Sequence, residues 1–530
     1  MRLYRLSENP PGVYCDEAAL GANAASIGAS GRDLSGALLP LYCRERSFPG
    51  EIVYQPVFLY AEIPFVRLLN LSPLSVRLPS VLFGLASVVT TFVLVRRLQG
   101  RWVALIASAV LAICPWHLQF SRIAFEAISL PPLLMLGCWL LWRGLEKRGA
   151  LIGGAALLGV ATYAYPPAKL MVPLLLLAFA FTHRKALANR RRDLLCAAGL
   201  LVLIALPNLY LVLFGKQQAR VQQLLIFSAD LSGERAILFL LAREASVWAR
   251  AILSTPLLRI PFVFVYNYLS YLSPDYLFAH GDPNLRHNPG YIGMYYRTLA
   301  PFMVTGGVVL WINRRQPAAT FFLLWLLAFP IPASLTVDSP HAVRAMTAFP
   351  VFEVLASVGA VAIVSQALRL KVPSARAYWP PFLAAFTVVA GLILLPVEMA
   401  AYLRDYHGHY RISSGAWWQT GMREAVALLE REKERYDRVI ISPRVEHAYI
   451  YLVFFGAVHA GPDDPEEIDS RLGQYRYHLA KPLERPVANP RELWWVTSDE
   501  IRRFPPPTSV TTIPYPDGTP HFSILGFGPG

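Results

Sequence analysis

Residues 10–32 read PPGVYCDEAALGANAASIGASGR, an acidic pair among small and polar residues ahead of a chain that is otherwise a succession of apolar runs. Taken alone, Asp16-Glu17 before an Ala-rich run starts a short helix, because an acidic residue in the first turn suits the helix dipole. The rest of the chain gives the pair a second meaning. From residue 78 to 401 about ten apolar stretches follow one another, most of them roughly 16–22 residues long where complete, which is bilayer length. The pair therefore lies in a long first loop, residues 8–56, that precedes a bundle of membrane spans.

Composition agrees. Of 530 residues 55% are hydrophobic and 16% charged, against about 25% charged in soluble domains. A soluble core cannot hide that much apolar surface, so the main solvent is a bilayer. The net charge of +14 is spread over the ends of apolar runs and not gathered on one surface, which argues for membrane topology and against nucleic acid as a partner. The five cysteines show no zinc spacing. Cys114, Cys138 and Cys196 fall in apolar runs, while Cys15 and Cys43 share the first loop, where a disulfide would tether the acidic pair.

The expected spans are 78–95, 102–120, 127–142, 150–165, 170–182, 194–214, 299–312, 318–337, 345–368 and 378–401. Basic clusters at 96–101, 143–148, 184–192, 314–315 and 369–376 recur after every second span. The positive-inside rule puts them in the cytoplasm and puts the loops holding residues 16, 126, 166, 282 and 338 outside, with the C-terminus. Residues 57–71 read as an interfacial helix, interrupted by Glu62 and Arg67. Residues 215–295 form a long aromatic-rich loop whose apolar part, 260–272, suits the interface. No apolar run precedes the first loop, so either an N-terminal span is missing from this sequence or later helices carry the loop outward. The expected domains are a membrane domain, 1–401, and a soluble extracytoplasmic α/β domain, 402–530. In the latter, GMREAVALLEREKERY and AYIYLVFFGAV read as helices and RVIISP and ELWWVT as strands, without a Gly-rich phosphate fingerprint. The last ~25 residues, rich in Pro and Gly, read as a loose tail.

Ionisable residues of the outer loops are the functional candidates, because such groups at a membrane face are unfavourable unless paired or wet. Arg122 and Glu126, in CPWHLQFSRIAFEA, are either an i,i+4 staple or a wall of the cavity that holds Asp16. Lys169, beside Tyr163 and Tyr165 in TYAYPPAKL, either snorkels to the interface or meets an anionic headgroup. In HGDPNLRHNPG, Asp282, Arg286 and His287 make a weak metal set without regular ligand spacing and a better phosphate or acceptor contact. Asp338, His341 and Arg344 in LTVDSPHAVRAM open a helix, with Arg344 near the headgroups.

PPGVYCDEAALGA, SVRLPSVLFG, RWVALIASAVLAICPWHLQFSRIAFEA, ATYAYPPAKL and LTVDSPHAVRA, in that order, resemble the bacterial dolichyl-phosphate-mannose–protein mannosyltransferase-like family. These are GT-C membrane glycosyltransferases related to lipid A aminoarabinose transferases, and the likeness covers most of residues 5–360. It implies a mainly α, polytopic bundle in the bacterial inner membrane. Its members transfer a sugar from a polyprenyl-phosphate donor to an acceptor hydroxyl of a lipid, glycan or protein outside the cytoplasm, with inversion at C1. Carried over by position, the acidic pair maps to Asp16 and Glu17 as catalytic residues, the Ser-Arg to Ser121 and Arg122, and the basic residue after Tyr-x-Tyr to Lys169. The helix that normally precedes the acidic loop is absent, and Gln55-Pro56 stands where relatives carry a charged residue or His. A carboxylate base, Asp16, and cations around the leaving phosphate (Lys169, Arg122, Arg286 or Arg344) suffice for the chemistry. Glu126, Tyr165, Asp282, His287 and His341 complete the expected substrate-binding set. No metal ligand is assigned and no cofactor is required, though a divalent cation is compatible. The alternative is a lipid-linked-sugar transporter or a non-catalytic scaffold. Transporters tend to show paired halves and ionisable groups at the midplane, and this chain shows neither.

Overall fold

Ten apolar helices occupy the ten expected spans. In the computed structural model, which describes residues 1–45, 52–214, 225–227, 256–368, 380–459, 472–473, 477–479, 489 and 491–528, seven helices are long and apolar enough to cross a membrane: Pro73–Gln99, Glu126–Gly144, Ala168–Ala188, Arg191–Leu211, Pro317–Ser334, Met346–Ala367 and Pro381–Ser413. Arg101–Ile113, Arg148–Ala161 and Arg297–Ile312 are shorter apolar helices. The expected span 102–120 is broken at Cys114, whose backbone is extended (ψ 123°) ahead of Pro115, the first residue of a separate helix to Phe120. The Pro ring disfavours the helical conformation in the residue before it, so the break is local chemistry. Parts of the long loop, 215–224 and 228–255, lie outside the described residues; its interfacial piece is a helix, Pro256–Ser270.

The described chain packs as two units: Met1–Val81 with Arg122–Phe125 and Arg404–Gly530, and Leu82–Ser121 with Glu126–Leu403. The C-terminal segment therefore shares a unit with the first 81 residues, a grouping that the expected boundary at 401 did not include.

In the first unit, the helix that the Ala-rich run offers behind the acidic pair forms as α1 (Cys15–Ser30), closed by Gly31 in the left-handed region (φ 74°), whose N–H returns to Ile27 O at 2.8 Å. Its run of Ala and Gly has a packing reason. A Cβ on Gly21 would lie 2.5 Å from Val76, 2.9 Å from Leu71 and 3.2 Å from Phe454, so α1 is buried on several sides by close approach of neighbours. The short strands β1 (Cys43–Glu45) and β2 (Ile52–Tyr54) pair antiparallel and lead into α2 (Pro56–Leu69), which packs on α1. Cys15 and Cys43 are buried thiols.

The C-terminal part of this unit is a five-stranded mixed sheet. β3 (Arg438–Ile441) runs parallel to β4 (Tyr477–Leu479) and β5 (Glu492–Thr497), and β7 (Pro520–Phe527) runs antiparallel to β5 and β6 (Ser509–Pro514), giving the order β4-β3-β5-β7-β6. The expected loose tail is thus a hairpin. Gly518 (φ 87°) and Asp517, whose Oδ1 accepts the Thr519 N–H at 2.9 Å, form the turn between two strands rich in β-branched and aromatic residues. The apolar helix Ala448–Phe454 is buried throughout and packs on α1.

The second unit is the helical bundle. Gly306 and Gly359 allow two of its helices to touch through their backbones, since a Cβ on either would fall within 2 Å of a carbonyl oxygen of the other (1.8 Å from Leu355 O and 1.9 Å from Phe302 O). Small residues at such crossings are how helices pack in lipid, where dispersion and close contact replace the hydrophobic effect.

Candidate functional site

In the first unit the acidic pair sits in the opening turn of α1, and the two carboxylates meet different surroundings. Glu17 is wholly buried. Its Oε1 accepts from Arg77 Nε (2.9 Å) and the Ala124 N–H (2.9 Å), and its Oε2 from Arg77 Nη2 (2.9 Å) and the Tyr14 N–H (3.1 Å). The last bond is half of a capping box. Arg77, itself fully buried, also donates to the carbonyls of Leu6 and Pro10 (both 3.1 Å) and of Gly12. Asp16 is half-buried, and its Oδ1 accepts from the Tyr54 hydroxyl at 3.0 Å. Neither Arg77 nor Tyr54 was singled out from sequence. Arg77 had a legible signal, as the lone charge in SVRLPSVLFG at the start of a membrane helix. Tyr54 had none.

Arg122 is engaged with the N-terminal segment. Its Nε donates to the Tyr406 hydroxyl (3.3 Å), Nη1 to the carbonyls of Met1 (2.7 Å) and Arg2 (3.0 Å), and Nη2 to those of Tyr4 (2.8 Å), Asn9 (2.9 Å) and Arg5 (3.4 Å). It is 2% exposed. The N–H groups of the guanidinium point at protein oxygens, so Arg122 clamps the N-terminal segment.

In the second unit Tyr165, half-buried, lies in the turn between two helices, and Lys169 stands in the first turn of Ala168–Ala188. Lys169 feels the charge of Glu126, which opens the earlier span Glu126–Gly144. Asp282, His287 and His341 come together there: one potential ligand atom from each lies within 4.8 Å of the others. Asp282 Oδ2 accepts from the Ala342 N–H (2.7 Å) and lies 2.8 Å from His287 Nδ1, and Oδ1 accepts the Asn284 N–H (2.8 Å). Burial, then the positive charges of His287, Arg344 and Arg286, holds the His341 imidazole well below the usual histidine range. Arg286 Nε donates to Asn284 Oδ1 (3.2 Å). Arg344 pairs with Asp338 (3.3 Å) and donates to the Thr336 hydroxyl (2.8 Å).

Comparison with known proteins gives a family match over part of the chain and a fold match over nearly all of it. Residues 55–211 match the family described as dolichyl-phosphate-mannose-protein mannosyltransferase. No curated protein matches the chain. Among solved structures, ArnT from Cupriavidus metallidurans in the apo state is similar at 13% identity and a TM-score of 0.51, over 97% of this chain and 94% of that one. The same protein bound to undecaprenyl phosphate gives 13% and 0.51 over 99% and 96%. The oligosaccharyltransferase AglB from Archaeoglobus fulgidus, in complex with an inhibitory peptide and a dolichol-phosphate, gives 14% and 0.47 over 86% and 61%. At such identities the two ArnT structures speak for the fold alone, and the family match speaks for residues 55–211. By sequence over residues 55–211 this integral membrane protein is similar to the dolichyl-phosphate-mannose-protein mannosyltransferase family, and over nearly its whole length it shares the GT-C type fold of ArnT.

Proposed function

We propose that this protein is a glycosyltransferase of the bacterial inner membrane that moves a hexosyl or pentosyl group from a polyprenyl-phosphate-linked donor to an acceptor hydroxyl of a lipid, glycan or protein. Asp16 is the general base, and α1 with the C-terminal sheet faces the extracytoplasmic side. The observation that carries the reading is the division of the acidic pair. Glu17 is enclosed by four hydrogen bonds, while Asp16 keeps solvent access and is oriented by the Tyr54 hydroxyl. The undecaprenyl phosphate bound by the structurally similar ArnT supports the donor class.

In this mechanism Asp16 takes the acceptor's hydroxyl proton as the oxygen attacks C1. The C1–O bond to the phosphate breaks on the opposite face, the polyprenyl phosphate leaves with the electron pair, and C1 is inverted in a single displacement. Base catalysis of this kind contributes about 10²–10⁴-fold. Cations stabilise the leaving phosphate, and Lys169 and Arg286 are assigned to it, Arg122 being engaged elsewhere. Glu17 acts as a positioning residue that fixes the first turn of α1.

The test is turnover by membranes holding the wild type or Asp16→Asn, supplied with a panel of radiolabelled polyprenyl-phosphate sugars. Turnover reduced about 10²–10⁴-fold with donor binding retained is the expected result. Unchanged turnover in the variant would remove Asp16 from the chemistry, and donor binding without turnover across the panel would replace the transferase with a carrier.

A further inference from the structure

We propose that Asp282, His287 and His341 form a binding site for a divalent transition-metal cation of the zinc class. The proposal stands apart from the role of Asp16.

Three observations lead there. The first is convergence: the loop around 280–290 and the segment that opens at Asp338 each deliver ligand-type side chains to one place, with a ligand atom of each residue within 4.8 Å of the others. Asp282 and His287 are 2% and 4% exposed, unlike the acidic clusters that line protein surfaces. The second is fixation. Asp282 ties the two segments together through the N–H groups of Asn284 and Ala342 and through His287 Nδ1, while the backbone N–H of His341 donates to the Tyr271 hydroxyl at 3.0 Å. Ligands held by such bonds meet an ion with little reorganisation. The third is a buried nitrogen with no partner: His341 Nδ1 makes no hydrogen bond among the described residues. A buried polar atom left so is unfavourable and calls for an explanation. A metal–nitrogen bond supplies one.

The donor set decides the class of ion. Two imidazoles and one carboxylate suit zinc, or manganese, iron and cobalt of similar preference, and not calcium or magnesium, which take oxygen. Ligand atoms at about 2.1 Å on a tetrahedral ion lie about 3.4 Å apart, so side-chain shifts of roughly 1 Å close the site around it. Three protein ligands leave a fourth position open to water or to an oxyanion, with Arg286 close enough for its charge to act on His341.

The structural alternative is that the Asp282–His287 contact only pins two loops together, and the experiment separates the two. Full-length protein without a polyhistidine tag, purified in detergent and stripped with EDTA, is titrated with zinc against a chromophoric chelator, and in parallel with cobalt followed by visible absorption. One zinc per chain is expected, with affinity weakened at least tenfold in His341→Ala and in Asp282→Asn, and cobalt bands that vanish in His341→Ala. His341→Ala is the deciding variant, since no structural hydrogen bond runs through its ring among the described residues; elution as a monodisperse species confirms that it is folded. Absence of stoichiometric zinc in the wild type, or equal zinc affinity in the folded His341→Ala protein, overturns the proposal. Variants that lower thermal stability without moving zinc affinity do so as well.

Discussion

Replacing Arg77 with Met tests the buried pair that holds α1 in place. Met keeps much of the stem volume and removes the guanidinium. Glu17 would then retain only the N–H groups of Tyr14 and Ala124, at 3.1 and 2.9 Å, as partners for a fully buried carboxylate. The carbonyls of Leu6, Pro10 and Gly12 would lose their shared donor. Breaking a buried ion pair from one side costs about 3–5 kcal/mol, because the remaining charge stays in a medium that solvates it poorly. At about 1.4 kcal/mol per decade, amides of α1 that open with this unit should exchange 10²–10³-fold faster or more. Hydrogen exchange on full-length protein in nanodiscs reads this directly, peptide by peptide. The double variant Arg77→Met, Glu17→Met should recover most of the loss, since apolar groups of similar volume often match or exceed a buried pair. Protection of α1 within a factor of about five of wild type in Arg77→Met would refute the claim that the pair fixes the helix.

Arg122→Lys separates a clamp from a phosphate ligand. Lysine keeps the charge but offers three donors in place of a fork of five, so residues 1–9 should become more sensitive to protease while donor affinity holds; lowered donor affinity with an intact N-terminal segment would restore the phosphate role. The C-terminal sheet should lose stability in acid. Burial pushes the His521 imidazole down to about 4, although its Nδ1 lies 2.9 Å from Thr420 O. A histidine depressed on folding favours the folded state fully above its unfolded value near 6.5, and that contribution is lost as pH falls toward 4, by at most about 3 kcal/mol. Melting of the full-length protein from pH 7 to 4 should show this slope, and His521→Gln should flatten it; an unchanged slope assigns the effect elsewhere.

The spans were legible because a bilayer imposes one rule, apolar length, and breaks it only at prolines, as at Pro115 and at Pro166-Pro167. The hairpin of β6 and β7 was misread because Pro and Gly were taken as signs of looseness, when Pro516-Asp517-Gly518 is turn chemistry between alternating strand residues. α1 was legible as a helix start, but its burial was not. Its Ala and Gly residues carry little hydropathy, and their purpose, close approach of Val76, Leu71 and Phe454 at Gly21, exists only in the folded chain. Arg122 shows a harder limit. Five of its six partners are backbone carbonyls, which leave no mark in a sequence. The meeting of His341 with Asp282 and His287 is likewise tertiary, since it joins two loops 60 residues apart.

The two readings of the acidic pair, helix start and proposed catalytic carboxylate, are compatible, because the helix start separates the two carboxylates. Successive residues of an α-helix point about 100° apart. Placing Asp16 and Glu17 side by side in the first turn of α1 therefore sends them into different surroundings. Glu17, at the third helical position, reaches back to the Tyr14 N–H and inward to Arg77. Asp16 is turned toward Tyr54 and stays partly in contact with solvent. In a flexible loop the two carboxylates would exchange environments, and neither would hold a fixed direction for a proton. The buried pair beneath α1 thus enters the proposed mechanism through geometry: it fixes the turn that sets where the neighbouring carboxylate points.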